Sequence, residues 1–198
     1  IEKQLNASLK RLKTDYIDLY YLHRFDGSVS QEEILRALQK AVYAGKIRYY
    51  GVSNYSAEQL RALLTAADAL NLPRPVVCQP PLSMLKQDAL SELIPLCASE
   101  DIAVIPYQIY QGGLLTGKYK RGMEPPKGSR AEEKPAWLAS PDDALYDKLE
   151  AIEAGAKARG ISMSAYALRW TLEQPAVVSA IVGVKSEKQV DDAIAAIG

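Results

Sequence analysis

Short apolar runs alternate with amphipathic segments along most of the chain. The runs are rich in Tyr, Ile, Val and Leu, which favours β-strands, and the segments between them carry apolar residues at helical spacing. Apolar strands that are each followed by a helix are typical of a parallel sheet covered by helices. The predicted strands are YIDLYYLH (16–23), IRYYGVSN (47–54), PVVCQPPLS (75–83), IAVIPYQ (102–108) and VVSAIVG (177–183).

Capping signals mark where several of the intervening helices begin. A serine followed three residues later by Glu or Gln occurs at Ser30, Ser56 and Ser186, and this pattern predicts a capped helix start. Gly45 suits the end of the first capped helix. Further helices are predicted over the first fifteen residues, over about 88–100, over about 142–158 with Ser140 as the cap, and over 162–173.

The alternation stops at about 109–140, a segment rich in glycine, proline and charged residues. A loop of this length inside a compact chain is often functional. We therefore expect it to contribute to a cofactor or substrate site.

Two architectures fit this succession, a doubly wound sheet and a (β/α)8 barrel. No GxGxxG or GxxxxGK[ST] motif follows a predicted strand, which weakens the first. Polar residues instead follow every strand, and in a barrel the strand ends converge on one active-site face. A closed barrel has eight strands and five are visible, so about three βα units are expected upstream. Both ends of the chain look cut, and we expect a fragment.

Composition excludes several classes of protein. The chain has 198 residues, 48% of them hydrophobic, which is too apolar for a disordered chain, and its net charge is zero. That charge gives no reason to expect binding to nucleic acid or to a membrane surface. Cys78 and Cys97 lie in apolar contexts and are expected to be reduced core residues of a cytoplasmic protein. We find neither a transmembrane run nor the apolar core of a signal peptide.

Four strings resemble the aldo-keto reductases, in order and over nearly the whole chain: TDYIDLYYLHRFD (14–26), AGKIRYYGVSN (44–54), GGLLTGKY (112–119) and ALRWTLEQPAVVSAIVG (167–183). The loop layout is most similar to the branch that includes potassium-channel β subunits and bacterial general-stress oxidoreductases. The resemblance implies an NADPH-dependent (β/α)8 barrel that reduces aldehydes and ketones. Residues 1–198 would then form strands four to eight, one partial barrel of about five βα units.

His23, the single histidine, ends the first predicted strand. Taken alone, a structural histidine would be the commoner interpretation. The resemblance instead implies that His23 hydrogen-bonds the substrate carbonyl, where hydride transfer builds negative charge on oxygen. The Asp, Tyr and Lys that complete the family's catalytic tetrad are expected upstream of residue 1. The strand tyrosines are expected to be core residues rather than acids, namely Tyr16, Tyr20, Tyr21, Tyr49 and Tyr50.

The nicotinamide half of NADP is assigned to three strand ends by the same resemblance. Ser53 and Asn54 would bind the carboxamide, which needs both a donor and an acceptor, although the residues alone fit a plain turn equally well. Gln79 would contact the same group. Tyr107 would stack on the nicotinamide ring, the alternative being simple packing. The stretch after Gln79 departs from the family pattern and leaves the shape of the pocket open.

The phosphate groups are assigned to two glycine-containing segments. Backbone N–H groups around Gln108, Gly112 and Gly113 would wrap the pyrophosphate, with Lys118 facing it as a charge or standing as an ordinary exposed loop lysine. The second segment opens the last helix and would hold the 2′-phosphate and the adenosine, since cations at a helix N-terminus bind phosphate. Its residues are Gly183, Lys185, Gln189 and Asp192, with Lys188 adding charge. Ala193 replaces the family's usual Asn.

The predicted function is therefore NADP-dependent reduction of a small carbonyl substrate by a protein of which this chain is the C-terminal portion. A nucleotide-binding regulatory subunit with little turnover and an inactive fragment remain as alternatives. We expect neither a nucleic-acid partner nor a membrane partner, and no metal. Self-association through open sheet edges is expected of the isolated chain.

Overall fold

The computed structural model describes residues 1–134 and 142–197. The chain divides into two compact units, each assembled from two stretches. The first comprises Ile1–Pro80 and Leu90–Ile105, and the second comprises Pro81–Ala89 and Pro106–Gly198.

The first unit is built on a parallel sheet, as the alternating pattern predicts. Its strands follow the order β1-β2-β3-β4, and every adjacent pair is parallel. The strands and helices of this unit are α1 (Glu2–Leu12), β1 (Ile17–Leu22), α2 (Gln31–Tyr43), β2 (Ile47–Ser53), α3 (Ala57–Ala69), β3 (Val77–Gln79), α4 (Leu93–Ser99) and β4 (Ala103–Val104).

Local signals in the sequence place the helices of this unit well. The Ser30 hydroxyl accepts the Glu33 N–H, and Ser56 and Gln59 form a reciprocal capping box at the start of α3. The apolar faces of α2 and α3 are largely buried, with Leu38 and Leu60 fully so, whereas α1 buries Leu5 and Leu9 but leaves Leu12 exposed.

Prolines shorten the strands at the end of the sheet. The predicted strand 75–83 is reduced to β3, and 102–108 is reduced to the two residues of β4. Pro80 and Pro106 follow the last ladder contacts, and proline has no N–H to continue a ladder. The predicted helix over 88–100 is divided into a 3₁₀ turn, Asp88–Leu90, and α4. Pro95 is tolerated because it lies in the first turn of α4.

The second unit contains a 3₁₀ segment, Gln111–Thr116, and the helices α5 (Arg130–Glu133), α6 (Asp143–Ala158), α7 (Met163–Leu172) and α8 (Glu187–Ile197). The helix predicted over about 142–158 is thus confirmed, but its cap is Asp142, which accepts the Leu145 N–H. The predicted cap Ser140 lies outside the described residues. One apolar cluster joins α6 and α7 to the 3₁₀ segment through Leu149, Ala167 and Leu115.

The fifth predicted strand, 177–183, is wrong as a regular strand. Within the described residues the sheet has four strands, and 177–183 contains only an isolated bridge at Val177. Ile181 donates its N–H to the Pro106 carbonyl at 2.9 Å. Since Pro106 has no N–H, the contact is not returned from that residue.

Two expectations about the interior have opposite outcomes. Cys78 and Cys97 are buried and free, as predicted. The strand tyrosines are not all core residues, because Tyr49 is 58% exposed and Tyr16 is 38% exposed. Only Tyr50 is fully buried, and its hydroxyl donates to the Pro73 carbonyl at 2.7 Å. Position in an apolar strand therefore does not decide burial, since alternate side chains face opposite sides of the sheet.

We expect the isolated chain to self-associate. β1 and β4 each have a strand partner on one side only among the described residues. Large apolar side chains are also exposed, including Leu12, Val178 and Ile194 at 61–66% of their surface. Unpaired edges and apolar surface both favour association. A sharp monomer peak in size-exclusion chromatography, together with a cooperative melt, would contradict this expectation. None of the helices in the described part of the chain is long and apolar enough to cross a membrane.

Candidate functional site

The carboxyl ends of β1, β2 and β3 bring four predicted site residues of the first unit together. The side-chain amide of Asn54 donates to the His23 carbonyl at 2.9 Å and to the Ser53 hydroxyl oxygen at 3.1 Å. The Ser53 hydroxyl in turn donates to the Gln79 carbonyl at 2.9 Å. We call His23, Ser53, Asn54 and Gln79 the strand-end cluster.

Hydrogen bonding within the cluster limits what each member can offer to a ligand. Ser53 is buried, and its single hydrogen is directed to Gln79, so its oxygen can only accept from a further partner. Both amide hydrogens of Asn54 serve contacts inside the cluster. Asn54 adopts a left-handed conformation with φ of 57°, which asparagine tolerates, and this turn ends β2. His23 is exposed at the mouth of the cluster.

Gly51 of β2 makes room for a side chain that crosses the sheet. Register places it between Tyr21 of β1 and Val77 of β3. A Cβ atom built on Gly51 would lie 3.0 Å from Cε1 of Tyr21, so the tyrosine ring covers this glycine. Burial raises the pKa of the Tyr21 hydroxyl, and the nearby Gln79 side chain offsets part of that rise. Sequence reasoning assigned Tyr21 to the core and missed that its ring covers Gly51.

Replacing Gly51 with Ala is expected to destabilise the first unit by about 1–3 kcal/mol, the usual cost of overpacking. The added Cβ would lie 2.3 Å from Cγ1 and 2.9 Å from the carbonyl oxygen of Val77, and the backbone atom cannot rotate away. Urea denaturation measures the loss. The matched control is Gly27→Ala, whose Cβ meets only Phe25 at 3.4 Å. Equal stability of the two variants would contradict the close packing of Gly51 against Val77.

The second unit carries the remaining predicted residues in two places. At the first, Tyr107 is half-buried and pairs with Pro81, while Gln108 is exposed. The following turn has left-handed backbone at Gln108 and at Gly112 and Gly113, with φ of 60°, 67° and 100°. Glycine accommodates such angles without strain.

A buried serine that the sequence analysis did not single out anchors this glycine turn. Ser83 is fully buried, and its hydroxyl donates to the side-chain carbonyl of Gln111 at 3.1 Å while accepting the backbone N–H groups of Leu85 and Lys86. Lys118 packs against the same turn. Its Nζ would lie 2.8 Å from a Cβ on Gly113.

The second place is the start of α8. Ser186 accepts the Gln189 N–H, and the Gln189 side chain accepts the Lys185 N–H at 2.7 Å. The Lys185 ammonium is 2.8 Å from a carboxylate oxygen of Glu133 and 3.1 Å from the Gly128 carbonyl. The bond from Lys185 is the main reason that the pKa of Glu133 lies below its usual range. The cation predicted to bind phosphate therefore already holds an anion.

The other predicted residues near α8 are exposed. Gly183 precedes the helix and has open space around its Cα. The Asp192 carboxylate accepts from the Lys188 ammonium one turn earlier at 3.0 Å. Glu133 and Gly128, which meet Lys185, were not predicted, and no local pattern marks a residue that meets a lysine 52 positions away. Among the described residues there is no group of three His, Cys, Asp or Glu side chains that could hold a metal ion.

Comparison with known proteins identifies the family and the fold of the chain. Residues 1–198 match the model of the aldo/keto reductase family. The chain is 34% identical over 194 residues to a probable voltage-gated potassium channel subunit beta of Arabidopsis thaliana, covering 96% of this chain and 59% of that protein. It is 35% identical over 200 residues to the aldo-keto reductase yakc [NADP(+)] of Schizosaccharomyces pombe, covering 100% and 57%.

A solved structure is similar over the full chain as well. The glycerol dehydrogenase AKR11B4 from Gluconobacter oxydans has a TM-score of 0.83 and 30% identity, and the match covers all of this chain and 58% of that one. The chain belongs to the aldo/keto reductase family, and the predicted fold class, α/β of the (β/α)8 barrel type, is confirmed. It spans 57–59% of the length of these relatives.

Proposed function

We propose that the protein containing this chain reduces aldehydes or ketones to alcohols with NADPH, and that this chain supplies His23 and the larger part of the cofactor site. The observation that carries the proposal is the strand-end cluster. It gathers a histidine, a serine and two amides at the carboxyl ends of three adjacent parallel strands, where barrel enzymes hold their substrates.

The described residues fit the two ends of NADP. At the nicotinamide end, the cluster offers the Ser53 and Asn54 side-chain oxygens as acceptors and the Gln79 side-chain amide, groups of the kind that a carboxamide pairs with. At the phosphate end, Lys185 stands before a helix of eleven residues and binds the Glu133 carboxylate, so it is placed to hold an anion. Bound NADPH would supply the hydride that the carbonyl carbon accepts.

His23 acts on the oxygen of the substrate in this proposal. As hydride reaches the carbonyl carbon, negative charge develops on oxygen, and an N–H donor placed at that oxygen lowers the barrier. Asn54 holds the backbone of His23 through its carbonyl, which fixes the point from which the imidazole extends. The proton itself would come from the family's tyrosine, which we place in the upstream part of the barrel.

The test is steady-state oxidation of NADPH by the native gene product with a reactive aromatic aldehyde. Steady turnover supports the enzyme. Tight binding of NADPH with very slow turnover would favour the second candidate, a nucleotide-binding regulatory subunit, for which the similarity to a protein named as a potassium channel β subunit is the specific reason.

A decayed, cofactor-free fragment is the third candidate. The nucleotides immediately upstream of the first codon distinguish it from the other two. An open reading frame that encodes strand–helix units with the Asp, Tyr and Lys of the tetrad would support the reductase. An interrupted reading frame would support the decayed fragment.

A further inference from the structure

We propose that Ser83 is a positioning residue: acting through the side chain of Gln111, it holds the glycine turn, residues 108–113, in the conformation that receives the pyrophosphate of NADPH. This inference rests on the proposed function, because it assumes that NADPH binds with its pyrophosphate at this turn. Neither Ser83 nor Gln111 has a part in the catalytic proposal.

The contacts of the Ser83 hydroxyl leave it one direction in which to donate. Its oxygen accepts the backbone N–H groups of Leu85 and Lys86 at 3.2 and 3.1 Å. A hydroxyl has two lone pairs and one hydrogen, so these two bonds use its capacity to accept. The hydrogen is donated to the side-chain oxygen of Gln111 at 3.1 Å. Since Ser83 is fully buried, its hydroxyl is shielded from competing water.

The backbone around Ser83 is fixed on both sides. Ser83 and Lys86 exchange two backbone hydrogen bonds of 3.0 Å each, which close the short turn between them. Leu82 donates its N–H to the Tyr107 carbonyl at 3.1 Å, and Pro81 pairs with Tyr107 in an isolated bridge. The serine is therefore tied to the residue that directly precedes the glycine turn, and its hydroxyl is a fixed point for that turn.

Gln111 needs such a fixed point because its backbone is strained. Its φ of 45° lies in the left-handed region, which is unfavourable for a residue with a Cβ. Gly112 and Gly113 follow it in the same region at no such cost. Strained conformations persist only where the surrounding structure holds them. Two bonds hold this one, from the Gln111 N–H to the Gln108 carbonyl at 2.7 Å and from Ser83 to the side chain.

The conformation of Gln111 decides what the glycine turn presents to an anion. Gly113 donates its N–H to the Tyr110 carbonyl at 2.9 Å, whereas the N–H of Gly112 has no backbone acceptor among the described residues. The Lys118 ammonium lies beside Gly113, 2.8 Å from where a Cβ would be. Backbone N–H groups in such turns bind anions. A right-handed Gln111 would rotate the following peptide group, and the N–H of Gly112 with it.

The experiment compares Ser83→Ala with the matched control Thr171→Val in the native gene product. Thr171 is also fully buried in the second unit, and its hydroxyl donates to the Ala167 carbonyl within α7 at 2.9 Å. Each variant thus removes one buried hydroxyl. Dissociation constants are measured by calorimetry for NADPH, for 2′-phospho-ADP-ribose, which keeps the pyrophosphate and lacks the nicotinamide, and for 2′-AMP, which lacks both.

We expect Ser83→Ala to weaken NADPH and 2′-phospho-ADP-ribose by the same factor, about 3- to 10-fold, the effect of one hydrogen bond, and to leave 2′-AMP unchanged. Thr171→Val should change none of the three. A loss shared by all three ligands, a loss confined to NADPH, no loss, or an equal loss in Thr171→Val would overturn the inference while leaving the proposed function intact. Failure of the wild-type protein to bind NADPH would overturn the proposed function, and the inference with it.

A second variant separates the bond to Gln111 from the turn that Ser83 also supports. Gln111→Met removes the acceptor, keeps the length of the side chain and leaves the bonds from Leu85 and Lys86 to Ser83 in place. It should weaken the same two ligands by the same factor. The double variant Ser83→Ala/Gln111→Met should bind them no more weakly than either single variant, because each already lacks the bond. Losses that multiply in the double variant would show independent effects and would overturn the inference.

Discussion

The 198-residue chain is expected to leave a reactive aromatic aldehyde unreduced, even at saturating NADPH. In the proposal it supplies His23, whereas the Tyr, Lys and Asp of the family's tetrad are expected in upstream βα units. General acid catalysis contributes roughly 10²- to 10⁴-fold to a rate, and correct positioning contributes more. Activity should appear when sequence encoding the three upstream units is joined to the chain or mixed with it. The reaction is followed by the loss of NADPH absorbance as the cofactor is oxidised.

In the restored protein, meaning the chain together with the three upstream units, His23→Ala should lower kcat while barely changing the affinity for NADPH. The contact that Asn54 makes is with the backbone carbonyl of His23, so the substitution removes the imidazole and keeps the strand end in place. Arg24→Ala, at the exposed next position, is the matched control and should leave kcat near the wild-type value. Turnover by the 198-residue chain at the rate of the restored protein would show that the tetrad is misplaced and that one of the strand tyrosines is the acid.

Replacing Lys185 with Ala should weaken NADPH by roughly 10- to 150-fold and NADH far less, because a charge-assisted contact with the 2′-phosphate is typically worth about 1.5–3 kcal/mol. Only NADPH carries that phosphate. Fluorescence titration of the restored protein with both cofactors measures the difference. Equal losses for the two would contradict a phosphate role for Lys185.

Two further variants separate the role of Lys185 from a general effect of charge. Lys188→Ala removes a lysine from the same helix whose ammonium is already held by Asp192, so a smaller loss is expected. Glu133→Gln removes the carboxylate that occupies Lys185, and we expect it to tighten NADPH, because the phosphate no longer competes with that carboxylate. Weaker binding in Glu133→Gln would mean that Glu133 supports the site instead of competing for it.

The helices and the parallel sheet could be predicted from the sequence, because the interactions that define them involve residues close together in the chain. The spacing of Leu60, Leu63 and Leu64 defines the buried face of α3, and the pairing of Ser56 with Gln59 involves neighbours within one turn. The members of the strand-end cluster could be predicted for a related reason. Each is the last residue of a strand or directly follows one, and parallel strands place their carboxyl ends at one edge.

The lengths of the strands were harder to predict from the sequence, because the hydrophobic pattern continues beyond the last hydrogen bond of the sheet. VVSAIVG has the composition of a strand, yet the proline that it meets at position 106 cannot return a hydrogen bond. The burial of Tyr16 and Tyr49 was also misjudged, because an apolar run does not tell which of its alternate faces is covered.

The sequence by itself determined where most helices lie, that the sheet is parallel and which polar groups stand at the strand ends, since those properties depend on near neighbours. Tertiary structure alone decided the contacts that tune the site. The Tyr21 ring covers Gly51 only because register pairs the two residues, and Ser83 holds Gln111 from 28 residues away. Glu133 meets Lys185 across 52 residues. Such pairs depend on register and on the paths of loops, which no periodicity in the chain records.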